Sequence, residues 1–194
     1  MEQTASKNRQ IVLAERPVGV PTDSTLRIES SELPIPQAGE MLLRTVFLSL
    51  DPYMRGRMSD APSYAPPVEI NAVMVGGTVA RVHSSNLEGF NEGDWVLSFS
   101  GWQDYALSDG SGVTQLGRNP EHPAWALGIL GMPGFTAWAG LLKIGMPKAG
   151  ETIVVAAATG PVGSTVGQIG KIMGCRVVGI AGGPEKCAHA VAQL

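Results

Sequence analysis

Residues 151–183 read ETIVVAAATGPVGSTVGQIGKIMGCRVVGIAGG, and this stretch decides the fold. The apolar, β-branched run 152–158 is long enough for one buried parallel strand. Apolar residues at helical spacing between Gly163 and Gly174 predict a helix, and residues 176–181 predict a second buried strand. Strand, glycine turn, helix and strand together make a right-handed βαβ unit of an α/β domain.

The turn after the first strand carries a glycine motif that is typical of nucleotide binding. Gly160 and Gly163 hold the second and third glycine places of a G-x-G-x-x-G fingerprint, with Ala158 in the first. Glycine lets backbone approach a pyrophosphate and lets the helix pack close to the strand, while the helix N-terminus offers N–H groups to phosphates. The context predicts dinucleotide binding; the alternative is a packing turn in another α/β protein. The predicted cofactor-binding residues of the turn are Ala158, Thr159, Gly160, Pro161, Val162 and Gly163.

The end of the second strand predicts which dinucleotide is bound. NAD enzymes usually place an acidic residue there for the ribose 2′-hydroxyl, but residues 180–183 read IAGG. Glu185 comes slightly late, and Lys186 is beside it. A charge-assisted hydrogen bond to a 2′-phosphate contributes roughly 1.5–3 kcal/mol. We therefore predict NADP(H), with Gly182 and Lys186 as further cofactor-binding residues; the alternative for Lys186 is a solvated lysine in a first helical turn.

Composition limits the remaining classes of function. The 194 residues are 44% hydrophobic and 16% charged, which is typical of a globular protein with one large domain or two small ones. A net charge of −3 without a basic cluster argues against a nucleic-acid partner. No apolar run reaches membrane-spanning length, and residues 1–10 lack a signal-peptide core. The sequence thus predicts a cytoplasmic protein without a membrane partner.

Metal and disulfide chemistry are both disfavoured. Cys175 and Cys187 are too few for a disulfide framework or a four-cysteine zinc site, and we interpret both as small packing residues. The three histidines, His83, His122 and His189, lack ligand spacing and are interpreted as surface or loop residues. We predict no metal site.

The first ~120 residues consist of short apolar runs separated by Gly/Pro turns, which is the pattern of a small barrel or rolled sheet. A strand with a Gly76-Gly77 kink is predicted at 72–82, and a turn or short helix at 51–58. The other predicted strands are 10–13, 26–30, 41–50, 93–99, 103–107 and 114–116.

The pattern becomes helical after residue 123. Helices are predicted at 124–130 and 136–142, on either side of Gly-Met-Pro-Gly at 131–134. We therefore expect two domains, 1–123 and 124–194. Because a two-stranded sheet is too narrow to bury both faces, we expect the second domain to be truncated. The chain would then be the N-terminal part of a longer protein and inactive alone.

Four stretches together resemble the medium-chain dehydrogenase/reductase superfamily. They are LSLDPYMRGRM at 48–58, GMPGFTAW at 131–138, AATGPVG at 157–163 and AGGPEK at 181–186. The DPYMRGRM run is the most specific, and it resembles the zinc-independent NADP-dependent alkenal/enone reductases, including prostaglandin and bacterial curcumin reductases. The resemblance covers the chain and implies a GroES-like β-barrel substrate domain at 1–123. It also implies the first βαβ unit of an NADP-binding Rossmann domain at 124–194.

The resemblance implies an oxidoreductase that acts on CH–CH bonds and reduces the C=C bond of α,β-unsaturated ketones or aldehydes. Zinc members of the superfamily supply a cysteine after the long strand and a His-Glu pair before the kinked one. Here LSLDPYMR and PPVEINAVMV contain neither Cys nor His. Alternatives are a quinone reductase of the same superfamily and a non-catalytic NADPH-binding protein. The small-molecule partner is thus an enone or a quinone, and analogy implies a homodimer.

The resemblance also implies residue roles. Tyr53, after Asp51-Pro52 at the barrel edge, is the candidate donor to the substrate's enolate oxygen; the alternative is a packed aromatic with its hydroxyl in water. Thr136 is expected near the nicotinamide. Arg55 and Arg57 are structural ion-pair partners or pocket-rim cations.

Overall fold

The structure, a computed structural model, describes residues 7–193. The chain divides into two compact units between Ala124 and Trp125, one residue after the end of the predicted domain 1–123. The elements of the first unit are β1 (Lys7–Leu13), β2 (Leu26–Glu32), β3 (Met41–Leu48), α1 (Tyr53–Arg57), β4 (Thr78–Ser85), β5 (Trp95–Ser98), β6 (Tyr105–Ser108) and β7 (Thr114–Gly117).

The first unit is built on a five-stranded sheet with the order β6-β3-β4-β5-β7. All of its neighbouring strands are antiparallel, and the β3–β4 pairing shifts register twice, which bends a sheet. Strands β1 and β2 form a separate antiparallel pair. Two isolated bridges, Gln10↔Gln103 and Val12↔Val73, tie β1 to the rest of the unit. The prediction of a rolled β domain is confirmed.

Two clusters of buried side chains form the core of this unit. The five-stranded sheet contributes one cluster, and the second brings α1 together with β1 and the connection after α1. The first contains Met41, Leu43, Ala80, Val82 and Val96. The second contains Leu13, Met54, Met58, Val68 and Met74. Met54 anchors α1 in this second cluster, and Tyr53 packs partly buried against it.

The strand predicted at 72–82 begins later, at Thr78, and continues to Ser85. Gly76 precedes the strand instead of kinking it. A Cβ atom there would lie 3.0 Å from both Leu48 Cδ1 and the Trp102 ring. Gly76 therefore makes room for the Trp102 indole, which is a packing constraint that strand periodicity does not predict.

The second unit combines short helices with one parallel strand pair. Its elements are a 3₁₀ turn at Pro123–Leu127, which begins before the division, α2 (Met132–Trp138), a π-helical segment at Ala139–Gly145, β8 (Thr152–Val155), α3 (Pro161–Ile172), β9 (Arg176–Gly179) and α4 (Gly183–Gln193). None of the helices within residues 7–193 is long and apolar enough to cross a membrane.

The predicted separator at 131–134 is wrong, because α2 begins at Met132. Pro133 suits the first turn of a helix, where its missing N–H costs no hydrogen bond. A Cβ atom at Gly134 would overlap the carbonyl oxygen of Ile129. Gly134 therefore lets α2 pack closely against the Ile129 carbonyl, and it does not break the helix.

The predicted βαβ unit is present. Strands β8 and β9 pair in parallel from Thr152↔Arg176 to Val155↔Gly179. The first strand is shorter than the predicted 152–158, because Ala157 has φ 49°, which is left-handed backbone that strands do not contain.

Only one face of the strand pair is covered, because α3 packs on the face that carries Ile153. Val154 is 62% exposed and Val178 is 39% exposed, as expected for a two-stranded sheet that is too narrow to bury both faces. Cys175 is buried as expected, whereas Cys187 is exposed on α4. A packing role for Cys187 therefore does not hold.

Asn8 offers a test of how β1 is attached. It is 2% exposed; its Nδ2 donates to the Tyr105 carbonyl (2.9 Å), and its Oδ1 accepts from the Tyr105 amide (2.9 Å). Asn8→Ala leaves both buried backbone groups unpaired, each costing about 1–3 kcal/mol. We expect the free energy of unfolding, measured by urea denaturation, to fall by at least about 1–3 kcal/mol.

Asn86→Ala is the matched control, because exposed Asn86 donates only one side-chain bond, to the Pro36 carbonyl. We expect that variant to lose well under ~1 kcal/mol. Equal losses in the two variants would contradict the role given to Asn8.

Candidate functional site

The turn between β8 and α3 presents backbone amides at the start of a helix. The Ala157 carbonyl accepts from the Gly160 amide at 2.9 Å. Gly160 caps the helix with extended backbone, and Pro161 takes the first helical position. Amides in the first turn have no intrahelical acceptor, so those of Val162 and Gly163 lie at the positive end of α3. This arrangement suits an anionic group.

Glycine brings α3 close to the strands. A Cβ atom at Gly163 would overlap the Ala157 carbonyl oxygen, and one at Gly179 would lie 2.8 Å from the Ala158 Cβ. At Gly170, a Cβ atom would lie 2.9 Å from Ile153 Cδ1. The third glycine of a dinucleotide fingerprint serves this close helix–strand packing, and Gly163 occupies that place.

A cleft of about 800 Å³ runs from this turn to the first turns of α4. Backbone and small side chains from the ends of β8 and β9 form one part of it, and α4 supplies all of its charged or titratable groups. The lining residues are Ala157, Thr159, Gly160, Ile180, Ala181, Gly182, Glu185, Lys186 and His189. Glu185, Lys186 and His189 are all exposed, so a ligand in the cleft can reach them.

The cleft brings together four of the predicted cofactor-binding residues, namely Thr159, Gly160, Gly182 and Lys186. Ala158 and Gly163 line a neighbouring cavity of about 320 Å³. Pro161 and Val162 form the first turn of α3 and line neither space.

Thr136 is separate from this cleft. It lies exposed on α2, where its hydroxyl donates to the Met132 carbonyl at 2.7 Å. The bond is local to the helix, and Thr136 is not among the lining residues of the cleft. Its assignment near a nicotinamide stays a prediction.

The sequence reasoning did not assign His189 to the site. His189 was interpreted as a surface or loop residue, but it lies on α4 and lines the cleft with Lys186. Residues three apart are neighbours on one helix face. This spacing was the signal that could have found it.

The other two histidines lie elsewhere. His83 is half-buried in β4, with its ring edge-on to Tyr105 at 5.4 Å; the surface or loop interpretation is therefore wrong for it. His122 lies 3.6 Å from a carboxylate oxygen of Glu121. No group of three or more potential metal ligands occurs within residues 7–193.

Tyr53 begins α1 in the first unit. Its ring packs against the second core cluster, and its hydroxyl makes no hydrogen bond with residues 7–193. Burial raises the pKa of Tyr53, the Asp51 carboxylate adds to the rise, and the Arg57 guanidinium opposes it. A phenol with a raised pKa keeps its proton at neutral pH. Tyr53 is therefore a hydrogen-bond donor.

Neither arginine of α1 forms one of the predicted ion pairs within residues 7–193, and only Arg55 has a structural role there. Arg55 donates to the carbonyl oxygens of Pro17 (3.1 Å) and Gly19 (2.7 Å), which ties α1 to that loop. The Nε atom of Arg57 is buried without a hydrogen-bond partner in the described chain. Its charge acts on Tyr53.

The chain is similar in sequence to known oxidoreductases. A family model described as the N-terminal domain of oxidoreductase matches residues 9–116. The NADPH-dependent curcumin reductase of Escherichia coli (strain K12) is 62% identical over 194 residues, which cover 100% of this chain and 56% of that protein. Prostaglandin reductase 1 of Mus musculus is 45% identical over 176 residues, which cover 88% of this chain and 51% of that protein.

A solved structure is also similar. The crystal structure of CurA in complex with NADPH from Vibrio vulnificus superposes with a TM-score of 0.91 at 64% identity, covering 95% of this chain and 55% of that chain. The chain spans about half the length of the curated relatives it matches.

The close approach of α3 to β8 can be tested at Gly163. Gly163→Ala places a methyl group on the Ala157 carbonyl oxygen, so backbone must move. We expect the free energy of unfolding to fall by about 2 kcal/mol or more, measured by urea denaturation.

Gly167→Ala on the same helix is the control. There the added Cβ would make an ordinary 3.6 Å contact with Val177. Removing a helix-interior glycine gains up to ~1 kcal/mol, so this variant is expected to be neutral or slightly stabilised. A stable Gly163→Ala protein would show that the turn is not sterically constrained.

Proposed function

Because the chain belongs to the oxidoreductase family that this N-terminal domain defines, within the medium-chain dehydrogenase/reductase superfamily, we propose that the full-length protein is an NADPH-dependent enone reductase. It reduces the C=C bond of α,β-unsaturated ketones and aldehydes, including curcumin-type substrates. The observation that carries the proposal is the cleft in which the glycine turn after β8 meets Lys186. The similarity to a curcumin reductase and a prostaglandin reductase supports the reaction class.

The residues present fit NADPH. At Gly163 a Cβ atom would meet backbone, and the first-turn amides of α3 lie at the same turn; this cradle would hold the pyrophosphate. Lys186 and Gly182 line the part of the cleft formed by the end of β9 and α4, where the cation would hold the 2′-phosphate. The unit that begins at Trp125 is thus the proposed cofactor domain.

The first unit supplies the group that acts on the substrate. When bound, NADPH would supply the hydride for the β-carbon of the enone, and a proton from solvent would complete the reduction at the α-carbon. Negative charge then develops on the substrate's carbonyl oxygen, and the protonated hydroxyl of Tyr53 donates a hydrogen bond to it. Tyr53 performs this role with its proton in place, since its pKa lies above the ordinary phenol value, which is itself far above neutral pH. The homodimer and the cytoplasmic location stay predictions.

The reaction class is tested with the full-length protein by following the loss of NADPH absorbance. Curcumin and a simple 2-enone serve as acceptors, a quinone is assayed separately, and NADH is run in parallel. We expect turnover of the enones with NADPH and little with NADH. Turnover with the quinone alone would make the protein a quinone reductase. Tight NADPH binding without oxidation by any acceptor would make it a binding protein.

Tyr53→Phe tests the donor. The variant keeps the ring that packs on the core and loses the hydroxyl, and removing one such donor costs roughly 10²-fold in rate. We expect kcat/KM for the enone to fall by about this factor, with the Kd for NADPH unchanged. Tyr105→Phe is the control, because Tyr105 lies on β6 and is not among the groups that shift the pKa of Tyr53. Full kcat/KM in Tyr53→Phe would remove Tyr53 from the mechanism.

Lys186→Ala tests the choice of cofactor. Loss of a charge-assisted bond to the 2′-phosphate is expected to raise the KM for NADPH roughly ten- to 150-fold. The KM for NADH should stay the same, since NADH has no 2′-phosphate. Lys148→Ala removes an exposed lysine that does not line the cleft and serves as the control. An unchanged KM for NADPH in Lys186→Ala would contradict the assignment of Lys186 to the 2′-phosphate.

A further inference from the structure

The charge of the cleft depends on one imidazole. Glu185, Lys186 and His189 supply all of its charged or titratable side chains. The carboxylate of Glu185 offsets the ammonium of Lys186, so the three groups sum to zero while His189 is neutral. They sum to +1 once His189 is protonated. The formal charge that meets a phosphate in this cleft therefore changes with His189.

The position of His189 allows it to act together with Lys186. The two residues lie three apart on α4, hence on one helix face, and both are exposed toward the cleft that Gly182 lines. Because His189 follows Lys186 by one turn, its imidazole extends the cationic surface further along the helix axis. A phosphate with three acceptor oxygens can take hydrogen bonds from both side chains.

Among residues 7–193, no other titratable side chain lines this cleft. The end of β9 contributes Ile180, Ala181 and Gly182, and the turn after β8 contributes Ala157, Thr159 and Gly160. Lys171 and Cys187 line the neighbouring cavity instead. Glu185 and Lys186 are thus the charged groups that accompany His189 in the cleft within residues 7–193.

From this arrangement, and resting on the function proposed above, we infer that His189 is a second cation for the 2′-phosphate of NADPH. Its protonation strengthens the preference for NADPH over NADH. Histidine changes charge between pH 5 and 8, so the preference becomes pH-dependent. An exposed ion pair contributes at most about 1 kcal/mol, which corresponds to a roughly two- to fivefold effect.

The test isolates the 2′-phosphate by using nucleotide fragments as probes. Binding of adenosine 2′,5′-bisphosphate and of 5′-AMP to the full-length protein is measured by titration calorimetry near pH 6.5 and near pH 8. The ratio of the two Kd values removes effects common to both probes. A phosphate itself takes up a proton near pH 6, so lower pH is avoided.

Three proteins are compared. In the wild type we expect the preference for the bisphosphate to be roughly two- to fivefold stronger near pH 6.5 than near pH 8. His189→Gln keeps a polar side chain but cannot be protonated, and its preference should equal the wild-type value near pH 8 at both pH values. His122→Gln removes an imidazole outside the cleft and should behave as the wild type.

The outcomes separate this inference from the proposed function. A His189→Gln protein with the wild-type pH dependence would overturn the role of His189 while leaving Lys186 and NADPH binding in place. A wild type that binds the bisphosphate no better than 5′-AMP at either pH would overturn the NADPH proposal itself, and the inference with it. As an independent readout, the ³¹P chemical shift of the bound 2′-phosphate should move with pH in the wild type and less in His189→Gln.

Discussion

The structure depends on the contact between the start of α3 and the end of β8. Gly163 has no Cβ atom, so the helix can begin directly against the Ala157 carbonyl oxygen. Ala157 accommodates this approach with left-handed backbone, which ends the strand and turns the chain. The same contact sets where the first-turn amides of α3 lie. One steric constraint therefore determines the length of β8, the start of the helix and the position of the proposed phosphate site.

The two parts of the cleft differ in how firmly they are held. The glycine turn is fixed by backbone contacts, whereas α4 buries no residue along Gly183–Gln193. A local hydrogen bond joins α4 to the preceding turn, from Cys187 Sγ to the Ala181 carbonyl at 3.7 Å. Elements with little buried apolar contact open at low free-energy cost. The residues proposed to discriminate between cofactors thus lie on the part of the cleft with less buried contact in this chain, where a bound phosphate would add order.

Local patterns predicted much of this structure, and tertiary packing decided the rest. The βαβ order and the glycine turn follow from periodicity and spacing within 151–183, so they could be read directly. The start of α2 could not, because it depends on Gly134 fitting against the Ile129 carbonyl. Burial of Val154 depends on which elements cover the sheet. His189 was interpreted together with the other two histidines. Its spacing of three residues from Lys186 nevertheless predicts that both lie on one helix face.

The placement of Tyr53 shows how stability and chemistry meet in the first unit. Met54 buries one side of α1, and Arg55 fixes the helix to the Pro17 and Gly19 carbonyls. These anchors hold the Tyr53 hydroxyl in a partly desolvated position, where it has no hydrogen-bond partner among residues 7–193. A hydroxyl held this way is accessible to a ligand and can donate a hydrogen bond to it. Burial and Asp51 raise the pKa of Tyr53 by more than Arg57 lowers it. The Tyr53 hydroxyl is therefore a neutral hydrogen-bond donor, suited to an oxygen that gains negative charge.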